Sequence, residues 1–341
     1  MCTEVYEFLA NWKFILAFIT SYLIYNLFNY FKNRVTTDAK SVLITGCDSG
    51  FGYKTSLELN ASKVKVFSGC LTKEGVKRLQ DDPAFRGHAF IMDVTNQDDI
   101  NKAYKLIKEE TQDDGLWCVV NNAGILQPGL IDWQTTEEMQ QAMNVNLWGT
   151  VNVTKTMLPL VKRARGRIVN VTSMAGRVLF GNHTAYSMSK FACEAFSDGL
   201  RYEMKPWDVS VHIIEPGMFM TPILDVVINQ WEGIWKKQPI GIKEAYGEEY
   251  FNQVLKNING LLRDLASRDI KKVTNTIKHA TLSCNPKRRY VVGFDAHTIW
   301  TMIATLPTFM GDFILNFCAK QATPEAMKGK KERKLVNVSG S

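Results

Sequence analysis

Ser41-Val42-Leu43-Ile44-Thr45-Gly46-Cys47-Asp48-Ser49-Gly50-Phe51-Gly52 joins a short apolar, largely β-branched run to a glycine-rich turn, and a helical pattern follows over residues 50–60. An apolar run of that length ending in a turn signal predicts a buried strand. The next apolar run, VKVFSG at residues 64–69, completes a strand, helix, strand unit. Glycines in such a turn let backbone pass close to a ligand, while the free N–H groups and positive end of the helix favour an anion such as a diphosphate. The spacing is GxxxGxG, which departs from the GxGxxG dinucleotide pattern but keeps its strand, turn, helix context. A plain tight turn explains the same glycines.

Outward from this unit the alternation continues. Strand-like AFIMDV (89–94), helical NQDDINKAYKLIKEE (96–110), strand LWCVV (116–120), a helical stretch over 144–161, strand RIVNV (167–171), a helix over 185–204 and strand VSVHIIE (209–215) follow in order. Near-continuous apolar strands separated by helices predict an α/β chain with a doubly wound, Rossmann-like parallel sheet in a single domain. Residues 217–270 read as irregular and aromatic-rich, before a helix near 272–283 and a short strand RYVVG (289–293). The apolar segment 299–317 contains Pro307 and Asp312 and sets Leu306, Phe309, Met310, Phe313, Ile314 and Phe317 at helical spacing. That spacing suits packing on the domain or contact with a membrane interface.

The 341 residues carry 45% hydrophobic and 22% charged side chains, enough apolar material for one sizeable core. A net charge of +7 is scattered except for Lys328, Lys330, Lys331, Arg333 and Lys334, so no nucleic-acid surface is expected; that cluster is a solvated tail or a contact for anionic lipid. The seven cysteines are widely spaced with no CxxC pair, which argues against a disulfide framework and against a zinc site; no metal is expected. Residues 14–31 (FILAFITSYLIYNLFNYF) run 18 positions without a charge, about the minimum for crossing a bilayer. With Glu4 and Glu7 before this run and Lys32 and Arg34 after it, the positive-inside tendency places the rest of the chain in the cytosol.

Chemistry enters with Asn121-Asn122-Ala123-Gly124 after the fourth strand, and with Ser173, Tyr186 and Lys190. The serine stands thirteen residues before the tyrosine and the lysine four after it, one turn along the same helical face. A lone YxxxK is a weak signal; joined to TGxxxGxG, NNAG and a serine at that separation it is a specific one. Over about residues 40–295 the chain resembles the short-chain dehydrogenase/reductase family. GCDSGFG, VFSGCLTKEG, VNLWGTVNVTK, GRIVNVTSMAGR and EAFSDGLRYEM are similar to its branch of retinol, hydroxysteroid and 3-hydroxybutyrate dehydrogenases.

That resemblance implies Ser173, Tyr186 and Lys190 as a catalytic trio and Asn146 as a fourth member, holding a water that links Lys190 to solvent; an asparagine bonding only locally within its helix is the alternative. Tyrosine ordinarily ionises near about pH 10, so a base at neutral pH needs the neighbouring ammonium. The resemblance also implies cofactor contacts by Gly46, Ser49, Gly50, Phe51 and Gly52, by Asp93, Asn122, Ala123 and Gly124, and by Lys190, Pro216, Gly217 and Thr221. Asp93 is alternatively a helix cap for the segment starting at Asn96. The second strand ends without an acidic residue for a ribose hydroxyl or an arginine for a 2′-phosphate; NAD is expected by resemblance, NADP less so.

The apolar residues after 217 point to a lipophilic substrate, a steroid or retinoid, touched by Ser173, Met218, Phe219 and Trp231; core packing explains the same stripe. The first alternative is 3-hydroxybutyrate, which needs a cation from among Arg177, His183, Lys236 and Lys237; the second is a non-catalytic cofactor-binding scaffold. The organisation expected is a membrane anchor at 1–35, a catalytic domain at 36–298 with its substrate segment at 217–270, and an apolar helix with a basic tail at 299–341. The setting expected is the endoplasmic reticulum membrane with the catalytic domain facing the cytosol, and the family resemblance implies a homodimer.

Overall fold

Seven short runs rich in valine and isoleucine are parallel neighbours in one sheet: β1 (Ser41–Thr45), β2 (Lys65–Cys70), β3 (His88–Ile91), β4 (Cys118–Asn121), β5 (Arg167–Val171), β6 (Ser210–Pro216) and β7 (Arg289–Val292), in the order β3-β2-β1-β4-β5-β6-β7. The computed structural model describes residues 40–179, 182–318 and 322–328, with positions 12, 16, 17, 19–22 and 24; the side chains of 223–229 and 318 are not described. Most of the anchor expected at 14–31 lies outside these residues. Among the described residues no helix is long and apolar enough to cross a membrane.

Because strand side chains alternate, β1 feeds two cores. Val42 and Ile44 join Val66, Val120, Val169 and Ile214 on one face, covered by α1 (Gly50–Asn60) and by Val273, Ile277 and Ala280 of a later helix. Leu79 of α2 (Lys73–Asp81) packs on that first face, whereas Leu43 points the other way with Phe67, Val119, Ile168 and Val211, covered in part by α3 (Gln97–Thr111) through Ile100 and Ile107. Each fully buried aliphatic side chain contributes roughly 1.5–3 kcal/mol of transfer free energy, so a sheet covered on both faces suits these near-continuous runs. The strand order reverses between β1 and β4, where the following loops diverge and open a crevice at the carboxyl edge.

The helix read from 144 begins earlier. Thr135 and Glu138 form a capping box for α4 (Thr136–Met143), residues 144–149 widen into a π-type turn, and α5 (Thr150–Arg163) continues. The next helix, α6 (Thr184–Met204), agrees with expectation to one residue.

Residues 217–270, expected to be irregular, are mainly helical: α7 (Pro222–Lys237), α8 (Ile240–Tyr246) and α9 (Glu248–Leu265). The glycines at 233, 241, 247 and 260 obscured the period, but only Gly247 occupies the left-handed region and ends a helix. Their aromatic residues close a third core around Trp133, whose ring lies 5.0–6.3 Å from those of Trp231, Trp235, Tyr246, Tyr250 and Phe251. Then α10 (Lys271–Leu282) returns to the sheet. The C-terminal apolar segment breaks at Pro307 into α11 (Thr301–Thr305) and α12 (Thr308–Cys318), with Ile303, Ile314 and Leu315 packed beside Met174 and Trp300.

Candidate active site

At the crevice, Gly46 and Gly50 have positive φ of 67° and 59°. Gly52 needs to be glycine for another reason: a Cβ there would lie 2.2 Å from the Gly46 carbonyl oxygen. The result is a tight cradle at the amino end of α1, whose first turn carries no acidic residue and whose leading Ser49 makes no side-chain cap bond. Such a cradle fits a diphosphate. The Thr45 hydroxyl accepts from the Asn122 and Ala123 N–H groups, and the Asn122 amide donates to the carbonyls of Thr45 and Gly46. Asn122 therefore clasps the loop after β4 to the cradle.

Asp48, which the sequence reading passed over, closes the second end of the cradle. Its carboxylate accepts from the N–H groups of Leu71 and Thr72 and from the Thr72 hydroxyl, so a negative charge stands at the end of β2 after all. Asp93 accepts from the N–H and hydroxyl of Thr95, whereas Asn96 caps α3 through the Asp98 N–H; the cap alternative for Asp93 is thus removed.

On α6, Tyr186 and Lys190 share a face. The Lys190 ammonium is buried 5.7 Å from the tyrosine ring centroid and donates to the Val171 carbonyl at the end of β5, at 3.1 Å. Ser173, two residues on, is in extended backbone, and its hydroxyl accepts from the Ala175 N–H at 3.1 Å. Asn146 stands behind rather than in the cavity. Its side-chain oxygen accepts from the Ile125 N–H at 2.8 Å, while its amide donates to the Ile125 carbonyl and to Ser189, whose hydroxyl donates to the Tyr186 carbonyl. Its side chain thus braces the NNAG loop against α6.

One cavity of about 1740 Å³ joins these groups. Every residue expected at the site lines it except Gly52, Asn146 and Trp231. Trp231 is a correction to the expected substrate contacts: it is fully buried in the Trp133 core, because aromatic packing between α7 and α9 draws it inward. Phe219 reaches the cavity only from a largely buried position, edge-on to Phe51 at 5.9 Å. Beyond Tyr186 the apolar wall comes from Ile258, Leu262, Ile299, Trp300 and Ile303. Of the cations considered for a small acid, Arg177 faces Glu215, Lys236 faces Glu232 and Lys237 faces Glu138; none of the three lines the cavity, while His183 does. Behind the site Arg289 pairs with Glu194, Glu215 and Asp198. Burial, and then Glu194, push the Glu215 carboxyl above the usual range.

The short chain dehydrogenase family model matches residues 40–232. The chain belongs to the short-chain dehydrogenase family. It is an oxidoreductase acting on CH–OH donors. Its relatives include short-chain dehydrogenase/reductase family 9C member 7 of Bos taurus, 41% identical over 85% of this chain and 94% of that protein. The 17-beta-hydroxysteroid dehydrogenase type 6 of Homo sapiens is 40% identical over 89% and 96%. Retinol dehydrogenase 16 of Mus musculus is 38% identical over the same shares. Among solved structures, a short-chain dehydrogenase from Streptomyces avermitilis superposes with a TM-score of 0.65 at 24% identity, covering 81% of this chain and 96% of its own. The fold of this family member therefore agrees with the one built above.

Proposed function

We propose that the protein interconverts an alcohol and its carbonyl on a lipophilic substrate, a hydroxysteroid or retinol, with NAD and with Tyr186 as acid/base. The observation that carries this reading is the convergence of Ser173, Tyr186 and Lys190 on one cavity, with an anion cradle at one end and an apolar wall at the other. Its volume exceeds the roughly 300–1,000 Å³ of one small-molecule site, which leaves room for two ligands. Relatives named as hydroxysteroid and retinol dehydrogenases support the substrate class.

A nicotinamide cofactor supplies a hydride acceptor or donor when bound. Glycines 46, 50 and 52 would hold its diphosphate, and Lys190, Pro216, Gly217 and Thr221 its nicotinamide side. Tyr186 takes the substrate hydroxyl proton on its phenol oxygen, and returns it to the carbonyl oxygen in the reverse direction. Lys190 stands on the same helical face as Tyr186, and Ser173 hydrogen-bonds the same substrate oxygen. Asn146 holds the helix and loop that frame these groups. NAD is favoured because the Asp48 carboxylate at the end of β2 would repel a 2′-phosphate there, and the nearby Arg78 donates to the Asp48 carbonyl.

The 3-hydroxybutyrate reading is weakened by Arg177, Lys236 and Lys237 facing acidic partners away from the cavity. A non-catalytic scaffold would have no use for this trio. Initial rates with retinol, a hydroxysteroid and 3-hydroxybutyrate, each with NAD and NADP in detergent, test the proposal. A lipophilic alcohol with NAD should be preferred; a best rate with 3-hydroxybutyrate would replace it, and no turnover of any would favour the scaffold.

We also infer attachment to the endoplasmic reticulum membrane with the catalytic part in the cytosol. The uncharged run at 14–31 with its following cations supports this. So do Phe309, Phe313 and Phe317, which project outward from α12 with 72–75% of their surface exposed.

A further inference from the structure

We propose that Asp295 is a positioning residue that ties the apolar wall of the cavity to the turn after β6, so that a ligand held at Trp300 alters cofactor affinity. This rests on the reading of the cavity given above. Asp295 is buried two residues beyond Gly293, outside the cavity lining, and one carboxylate oxygen, Oδ2, accepts two hydrogen bonds. One comes from the Met218 N–H at 2.8 Å, in the turn that follows Pro216-Gly217. The other comes from the indole N–H of Trp300 at 3.0 Å, a residue that lines the substrate end.

The neighbouring glycines carry the imprint of this carboxylate. A Cβ on Gly217 would lie 2.4 Å from both of its oxygens, and one on Gly293 would lie 2.6 Å from Oδ1. Gly217 is not in the left-handed region, so the close approach of Asp295, rather than backbone conformation, is what requires glycine there. The same turn is held from the sheet by the Gly217 N–H donating to the Val292 carbonyl at 2.8 Å. Bonds from both sides therefore determine where the turn sits.

A buried carboxylate is costly unless it is hydrogen-bonded, and an apolar residue would fill the space without that cost. What such a residue could not do is satisfy the Met218 and Trp300 N–H groups together. Asp295 stands outside the cavity lining, and no step of the proposed chemistry uses it. Its two bonds instead make the indole and the turn share one acceptor. A lipophilic ligand that immobilises the indole then holds the carboxylate, and through it the Pro216-Gly217-Met218 backbone, in the geometry that receives the nicotinamide side of the cofactor. Cooperative binding of this kind is a coupling between two sites and is reciprocal.

The test measures the dissociation constant of NADH by fluorescence with the full chain, alone and with a hydroxysteroid; this pair cannot react because both are reduced. In the wild type the steroid should tighten NADH. Asp295→Ala, which removes the oxygen that accepts both N–H groups, should weaken NADH about ten-fold in protein first shown by its thermal midpoint to be folded. Trp300→Phe keeps most of the ring and removes the indole N–H; with steroid at a concentration shown to saturate the variant, the tightening of NADH should be lost. NADH binding unchanged in Asp295→Ala, or full tightening retained in Trp300→Phe, would overturn the proposal. A wild type that binds neither NADH nor NADPH would remove the cofactor reading itself, and the coupling with it.

Discussion

At the scale of single residues, the site's chemistry follows from a few short-range geometries. Lys190 lies one helical turn from Tyr186, Ser173 follows two residues after the strand whose last carbonyl holds Lys190, and Gly52 leaves the space that the Gly46 carbonyl fills. Asp48 gives the sharpest residue-level prediction. Asp48→Asn removes the charge and keeps one of the two acceptor oxygens that hold the Leu71 and Thr72 N–H groups, so affinity for NADPH relative to NADH should rise at least about ten-fold. An unchanged ratio in a fluorescence titration would mean that Asp48 does not face the adenosine end. The trio and the glycine cradle were legible in the sequence because their spacing is local to one turn or one helix. The work of Asp48 and Asp295 was not, since each acts on backbone N–H groups 23 and 77 positions away in the chain. Asn146 was legible as important, but its bonds to Ile125 and Ser189 arise only when the loop and α6 are brought together.

At the scale of elements, β6 and α7 carry the next predictions. His212 in β6 is buried, with its ionisation pushed down to about 4 mainly by loss of solvent. A neutral ring fits its partners: Nδ1–H donates to the Lys287 carbonyl at 2.6 Å, and Nε2 accepts from the Ser210 hydroxyl at 2.9 Å. Because the folded value lies below the unfolded one near about 6.5, the stability this group contributes is present above pH 6.5 or so and is lost as pH falls toward about 4; the full loss is about 3 kcal/mol. Glu215, held above the usual carboxylate range, pulls the opposite way, so the measurement is a comparison. Denaturant midpoints of wild type and His212→Gln across that range should show a flatter acid loss in the variant, and parallel curves would contradict the assignment. In α7, Trp231→Ala should lower unfolding free energy by about 3–5 kcal/mol, because the ring fills the Trp133 core. A change in substrate KM with unaltered stability would restore Trp231 to the site. The helices of 217–270 were hard to read because their aromatic faces pack on one another rather than on the sheet, so no alternation with a strand marks them. By contrast, α1 and α10 each cover the sheet and were placed within a residue or so.

At the scale of the whole molecule, the sheet sets the glycine cradle and the Ser173, Tyr186 and Lys190 trio at its carboxyl edge, while α9 and the C-terminal segment add an apolar wall. Burying a steroid against that wall removes far more apolar area than a four-carbon acid can, at about 25 cal/mol per Å², so apparent affinity should rise with ligand size across a substrate series. If the run at 14–31 and the outward phenylalanines of α12 hold the protein on a bilayer, it should remain with membranes after alkaline carbonate washing, and protease added to intact microsomes should digest the catalytic part. Full release by carbonate, or protection from protease, would contradict that placement. The doubly wound architecture was legible from strand and helix alternation alone, whereas the shape of the cavity was not, because it is assembled from residues as distant as Gly46 and Leu315. The most direct measurement is the turnover of a lipophilic alcohol with NAD by wild type and Tyr186→Phe, each first shown to bind NADH. The account predicts that Tyr186→Phe binds NADH nearly as the wild type does while turnover falls by about two to four orders of magnitude. Near-normal turnover in that variant would contradict it.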